Sequence, residues 1–135
     1  MSFRPLDPAK YPQLLTDKVG AVSALFADLQ LPEPEVYPSP AEHYRLRAEF
    51  RIWHAMFDPA EPRVPVRIEH FPTASRAICE LMEPLRQALG EQLALSKRLY
   101  QIDFLSTLSG DTLVTLIYHR RLDDEWQAAA QTVAA

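Results

Sequence analysis

The chain has 135 residues, 47% hydrophobic and 24% charged, the mixture of one ordinary globular domain and not of a disordered segment. Its net charge of -4 argues against a general binder of nucleic-acid duplexes, although arginines cluster at Tyr44–Arg51 and outnumber lysines 11 to 3. The single cysteine, Cys79, excludes an internal disulfide and a zinc-ligand pattern and fits a reducing, cytoplasmic setting.

Met1–Lys10 holds no apolar run of the kind a signal peptide needs, and no stretch approaches the ~20 apolar residues of a membrane span. From Leu14 to Leu29, apolar residues recur at Leu15, Val19, Val22, Phe26 and Leu29, which predicts one helical face, with Pro8 and Pro12 suited to its start. Leu31–Ala41 carries four prolines and reads as an extended connector.

Tyr44–Trp53 alternates. Tyr44, Leu46, Ala48, Phe50 and Ile52 face one way, while His43, Arg45, Arg47, Glu49, Arg51 and Trp53 face the other, as in a half-buried antiparallel strand. Asp58–Pro62 is a turn, and Val64–Phe71 alternates again through Val64, Val66 and Ile68, with Pro65 marking an edge strand or an irregular start. Thr73 is placed to cap a helix with apolar face Ala74, Ala77, Ile78, Leu81 and Leu85, kinked or restarted at Pro84.

Arg98–Thr107 and Thr112–His119 form a hairpin around Leu108–Asp111, where Gly110 can take positive φ. Asp123 or Asp124 then opens a last helix through Trp126. It reaches Ala135 with no Gly, Pro or basic residue in its final turn, which reads as a cut and not a natural terminus. The element order predicts an α+β fold: an antiparallel sheet of about four or more strands with helices packed mainly on one face.

Two features carry chemistry. The edge His43, Arg45, Arg47, Arg51 spaces cations ~6.6–6.8 Å apart along one face of a strand, near the spacing of RNA phosphates; pairing with Glu49 and nearby carboxylates as surface ion pairs fits the same residues. Tyr100, after Lys97 and Arg98, and His119, before Arg120 and Arg121, place rings beside cations, as unstacked RNA bases require. A core tyrosine with a wet hydroxyl and a hydrogen-bonded strand-end histidine also fit these residues, and from the sequence alone fit them better. No Gly-rich phosphate loop is present, since Gly20, Gly90 and Gly110 are the only glycines. A Ser106, His119, Asp103 triad and a metal site from His43, His54 and His70 lack supporting spacing. Cys79 falls in a helical apolar pattern and reads as a small buried side chain.

Ser39–His54 (SPAEHYRLRAEFRIWH), Phe71–Ser75 (FPTAS), Leu99–Gly110 (LYQIDFLSTLSG) and Leu116–Trp126 (LIYHRRLDDEW) together resemble the opening part of bacterial tRNA (uracil-5-)-methyltransferases, in the same order and at similar spacing. The resemblance implies a full enzyme that methylates carbon 5 of a T-loop uridine with S-adenosylmethionine, through a cysteine and a glutamate in a carboxy-terminal Rossmann-like domain beyond Ala135. This chain alone is then expected to be inactive, and Cys79 lies outside the family's catalytic motif. Residues 1–135 would form a single RNA-binding domain: a helical lead-in (1–35), a sheet and helix (36–121), and the start of a helix (122–135) leading to the catalytic domain. The partners implied are the tRNA T-arm and the protein's own catalytic domain, with a dimer through the bared domain interface as a non-biological by-product. Arg51 and Tyr100 sit at the family's RNA-contacting arginine and inserted aromatic, a slot where relatives often carry phenylalanine, and His119 at its hairpin-end histidine. Arg45, Arg47 and Arg120 complete the expected RNA-binding set. The alternative is a stand-alone protein–protein module with a basic strand, or a small enzyme built on Asp103 and His119.

Overall fold

A computed structural model describes residues 7–29, 31–51, 55–58, 61–68 and 70–134. After a 3-10 turn at Pro8–Lys10 come α1 (Tyr11–Leu25), β1 (Arg47–Arg51), β2 (Ala55–Asp58), β3 (Glu61–Arg67), α2 (Arg76–Glu91), a single turn α3 (Leu93–Ser96), β4 (Leu99–Ser106), β5 (Thr112–Tyr118) and α4 (Asp124–Ala134). The class is α+β. The strand order is β3-β2-β1-β4-β5, with antiparallel neighbours throughout.

The strands β1 and β4 carry the centre of the sheet's core, and β5 packs Val114, Leu116 and Tyr118 against it. On β1, Ala48 and Phe50 point inward; on β4, Ile102 and Phe104 meet them. Phe50 is fully buried, with its ring edge-on to Phe71 at 5.5 Å and to Phe104 at 5.8 Å, an arrangement aromatic rings favour. The helix α2 lays Ile78, Met82, Leu85 and Leu89 over this face, a 3.6-residue stripe, and α4 adds Trp126, Ala129 and Val133 at its margin.

Several boundaries shift for identifiable reasons. The strand expected from Tyr44 begins at Arg47, because the preceding backbone is spent elsewhere: His43 N–H donates to Pro72 O, Arg45 N–H to Thr73 O, and Ser75 N–H to Arg45 O. Tyr44, expected inward, is exposed. The cap of α2 is Ser75, not Thr73; the Ser75 hydroxyl accepts the Ile78 N–H at 3.3 Å. The α2 helix does not restart at Pro84, and its buried stripe uses Met82 and Leu89 where Ala77 and Leu81 were expected. Of the expected turn over Asp58–Pro62, Asp58 ends β2 and Glu61 and Pro62 open β3, with 59–60 outside the described residues; Pro65 lies in the edge strand β3, where its missing N–H costs least. Residues 52–54, which include Ile52, Trp53 and His54, lie outside the described set, as do the side chains of Val64 and Val66.

The α1 helix is the largest departure. It ends at Leu25 and buries no residue; Val22, Phe26 and Leu29 of the expected stripe are about half exposed. The Asp123 cap is selected over Asp124, as the Asp123 carboxylate accepts the Trp126 N–H at 2.9 Å. Gly110 takes φ 97 in the β4–β5 turn. No described helix is long and apolar enough to cross a membrane.

Candidate nucleic-acid interface

The strand β4 changes its facing near its start. Leu99 pairs with Tyr118, whereas Gln101 pairs with Ile117, so Tyr100 is the extra residue of a β-bulge. Leu99 is buried, and so are Ile102 and Phe104; without the bulge the two-residue period would turn Leu99 outward and Tyr100 into the core. The bulge therefore delivers the Tyr100 ring to the open face. Arg98, just before it, has φ 57, an unusual backbone for a side chain of this size, and its carbonyl accepts the His119 N–H at 3.2 Å.

That backbone bond sets His119 beside Tyr100. The two rings stack, with centroids 4.0 Å apart and planes 19° from parallel. Arg51 reaches the Tyr100 ring from β1, its guanidinium carbon 5.3 Å from the ring centroid, within the range of a cation–π contact. Its register partner, Gln101, is the residue next to the bulge. Arg51 of β1, Tyr100 of β4 and His119, the residue just after β5, thus form one column of cation, phenol ring and imidazole. A centroid gap of 4.0 Å admits no third ring between Tyr100 and His119, while His119 itself is exposed at the column's end.

The remaining expected site residues lie elsewhere. Arg47 pairs with Glu49 at 2.5 Å, both side chains well exposed, so the ion-pair reading holds for it. Such a surface pair contributes about 0–1 kcal/mol. Arg45 is exposed but sits in an isolated bridge to Ala74, before β1 begins. His43 leaves the proposed basic edge altogether: its backbone has φ 58 and its Nδ1 lies 2.9 Å from Ala74 O. Arg120, expected on RNA, turns its guanidinium to the carbonyls of Ala94, Lys97 and Arg121 and to Asp123.

The open face also carries carboxylates that the arginine spacing did not anticipate. Glu49 stands opposite Asp103, and Asp103 accepts a bond from Gln101 Nε2 at 2.7 Å. A uniform phosphate track along β1 is therefore interrupted, which weakens both that expectation and the alternative of a basic docking strand. Sequence reasoning also missed the bulge. Its signal was the apolar spacing Leu99, Ile102, Phe104, a step of three inside a period of two.

Among the described residues the enzyme readings within the chain find no supporting geometry. Ser106 is buried, its hydroxyl 2.7 Å from that of Ser75, and His119 is committed to the column. Among the described residues no group of three His, Cys, Asp or Glu side chains is placed to hold a metal ion. The Cys79 thiol donates to Phe71 O at 3.2 Å and Ala74 O at 3.5 Å. Burial, helped by the neighbouring Glu80, pushes its pKa up, away from the reactive thiolate.

A family profile described as tRNA (Uracil-5-)-methyltransferase matches residues 10–135. The chain is 49% identical to the tRNA/tmRNA (uracil-C(5))-methyltransferases of Aromatoleum aromaticum and of Azotobacter vinelandii, in each case over 100% of this chain and 39% of the relative. It is 50% identical to the enzyme of that name from Dechloromonas aromatica, over 96% of the chain and 38% of the relative. The chain thus spans about two fifths of the length of these relatives. With a match across nearly its whole length, it belongs to the tRNA (uracil-5-)-methyltransferase family.

Proposed function

We propose that this chain is the tRNA-gripping portion of a cytoplasmic, S-adenosylmethionine-dependent enzyme that makes 5-methyluridine in the T-loop of tRNA. Residues 1–135 act as one RNA-binding unit on the antiparallel sheet, taken at four or more strands, and α4 leads toward a catalytic domain outside this stretch. The observation that supports the reading most is the Arg51–Tyr100–His119 column on the open face.

The physical logic is one of exchange. A uridine must leave its stack before carbon 5 can be reached, at a cost of a few kcal/mol. Aromatic faces that stack on neighbouring loop bases return about 1–3 kcal/mol per base. A loop base extends the column over His119, or displaces His119 to take its place on Tyr100, while Arg51 bonds an adjacent phosphate. Recognition of one folded loop needs few net charges, which reconciles the grip with the overall -4.

The cofactor does not fit this chain. S-adenosylmethionine sites of methyltransferases use a glycine turn after a strand, and here Gly20 lies in α1, Gly90 in α2 and Gly110 in a hairpin turn. No step of methyl transfer is therefore assigned to these residues, and Cys79 is not the nucleophile.

The test is a titration of the chain with a T-arm hairpin and with the same stem closed by a tight tetraloop. Preference for the T-loop of about tenfold or more is expected, on the order of one stacked base. Equal affinity for the two hairpins would remove loop recognition from the proposal.

A further inference from the structure

We propose that Arg120 is a positioning residue that holds the Tyr100–His119 stack in register, and not a phosphate contact. This rests on the reading of the column as the RNA-contacting surface, although the geometry stands apart from that reading.

Arg120 follows His119 directly and its side chain is only 12% exposed. Its fork reaches four oxygens. The Nε donates to Lys97 O at 3.1 Å and one Nη to Ala94 O at 2.5 Å. The other Nη donates to Arg121 O at 3.2 Å and to Asp123 Oδ2 at 3.1 Å. The guanidinium also lies over the Tyr118 ring, 5.6 Å from its centroid.

These partners belong to the two chain segments that carry the stack. Ala94 lies in α3 and Lys97 caps its end, immediately before Arg98 and the bulged Tyr100. Arg121 and Asp123 lead from β5 into the cap of α4, immediately after His119. One planar group thus ties the approach to Tyr100 to the exit from His119, and the Arg98–His119 backbone bond lies between the ties. A guanidinium suits this task because its donors diverge in one rigid plane. A lysine ammonium is a point charge and cannot meet carbonyls on both segments at once. With its donors so occupied and little surface left, Arg120 has poor access to a phosphate.

The experiment compares the 135-residue chain with Arg120→Lys, Arg120→Gln and Asp123→Asn by proton NMR and by T-arm titration across salt. In the parent chain the stacked Tyr100 ring should shift the His119 ring protons upfield. In Arg120→Lys they should move toward free-histidine values while core methyl signals stay dispersed. Affinity should fall about tenfold with the slope of log K against log salt unchanged, since no counterion-releasing contact is lost. An unmoved His119 signal in the folded variant overturns the proposal. In Arg120→Gln, which removes the charge, a slope reduced by about one marks a lost phosphate contact and likewise overturns it. Should Arg120→Lys fail to fold, Asp123→Asn decides: asparagine still caps α4 but offers Arg120 no charge. A partial movement of the His119 signals supports the clamp, and unchanged signals overturn it. If the parent chain shows no salt-dependent affinity for the hairpin, the RNA reading fails, and the ring shifts still decide whether Arg120 positions the stack.

Discussion

The hydroxyls of Ser75 and Ser106 lie 2.7 Å apart, both residues buried, and join the first turn of α2 to the end of β4. Ser75 also caps the helix through the Ile78 N–H. Ser75→Ala removes a cap, at about 1 kcal/mol, and strips the Ser106 hydroxyl of its best partner, at about 1–3 kcal/mol. Ser106 retains only a 3.4 Å contact to Leu46 O. A total loss of about 2–4 kcal/mol is expected from urea unfolding. Ser106→Ala should cost less, because Ser75 keeps its helical N–H. The double variant should cost less than the sum of the two, as groups sharing one bond are not additive. Equal and additive losses would show that the pair does not share a hydrogen bond.

Phe50 is the pivot of the core, fully buried between Phe71 and Phe104. Phe50→Ala should cost about 3–5 kcal/mol, a large share of the stability of a domain this size. The variant is expected to lose its cooperative thermal transition. Phe50→Leu, which fills more of the space, should retain one at a lower midpoint. A cooperative Phe50→Ala transition within a few degrees of the parent would place the packing centre elsewhere.

Cys79 gives a pH prediction. Burial and Glu80 raise its thiol pKa above the ordinary 9.0. A group whose folded pKa is raised contributes stability that is present below the unfolded value and is lost as pH rises through the folded one. The chain should therefore weaken above about pH 9, and Cys79→Ala should flatten that decline. Alkylation by iodoacetamide at pH 7.5 should be slower in the folded chain than in urea. Rapid labelling of the folded chain would mean an exposed thiolate and would reopen its role.

Much of the core was legible in the sequence because period-two and period-3.6 patterns survive wherever one face is buried. Ala48 with Phe50, and Ile78 with Leu85, sit as those patterns demand. The pattern failed where backbone bonds were diverted, as at His43 and Arg45, whose partners at Pro72–Ser75 are distant in sequence. It also failed on α1, where the expected apolar stripe leaves no residue fully buried. For the site, ring and cation identities pointed to Tyr100, His119 and Arg51. Their convergence depended on a bulge, on Arg98 in the left-handed region and on a register, none of which composition encodes. Arg120 looked like its neighbour Arg121 in sequence; only the carbonyls around it separate the two.

The sharpest test of the column separates stacking from charge. Tyr100→Phe keeps the ring that contacts Arg51 and His119, so T-arm affinity should stay within about twofold, whereas Tyr100→Ala should lose about 1–3 kcal/mol, roughly 5- to 150-fold. Arg51→Ala should lower both the affinity and the salt slope, the latter by about one. Arg47→Ala removes a cation already paired with Glu49, so its effect should stay within about twofold, near the worth of an exposed pair. The ordering Tyr100→Ala and Arg51→Ala well above Arg47→Ala and Tyr100→Phe is what a specific column produces. If Arg47→Ala and Arg51→Ala cost the same while Tyr100→Ala costs nothing, the chain attracts RNA by diffuse charge, and the column has no part in the grip.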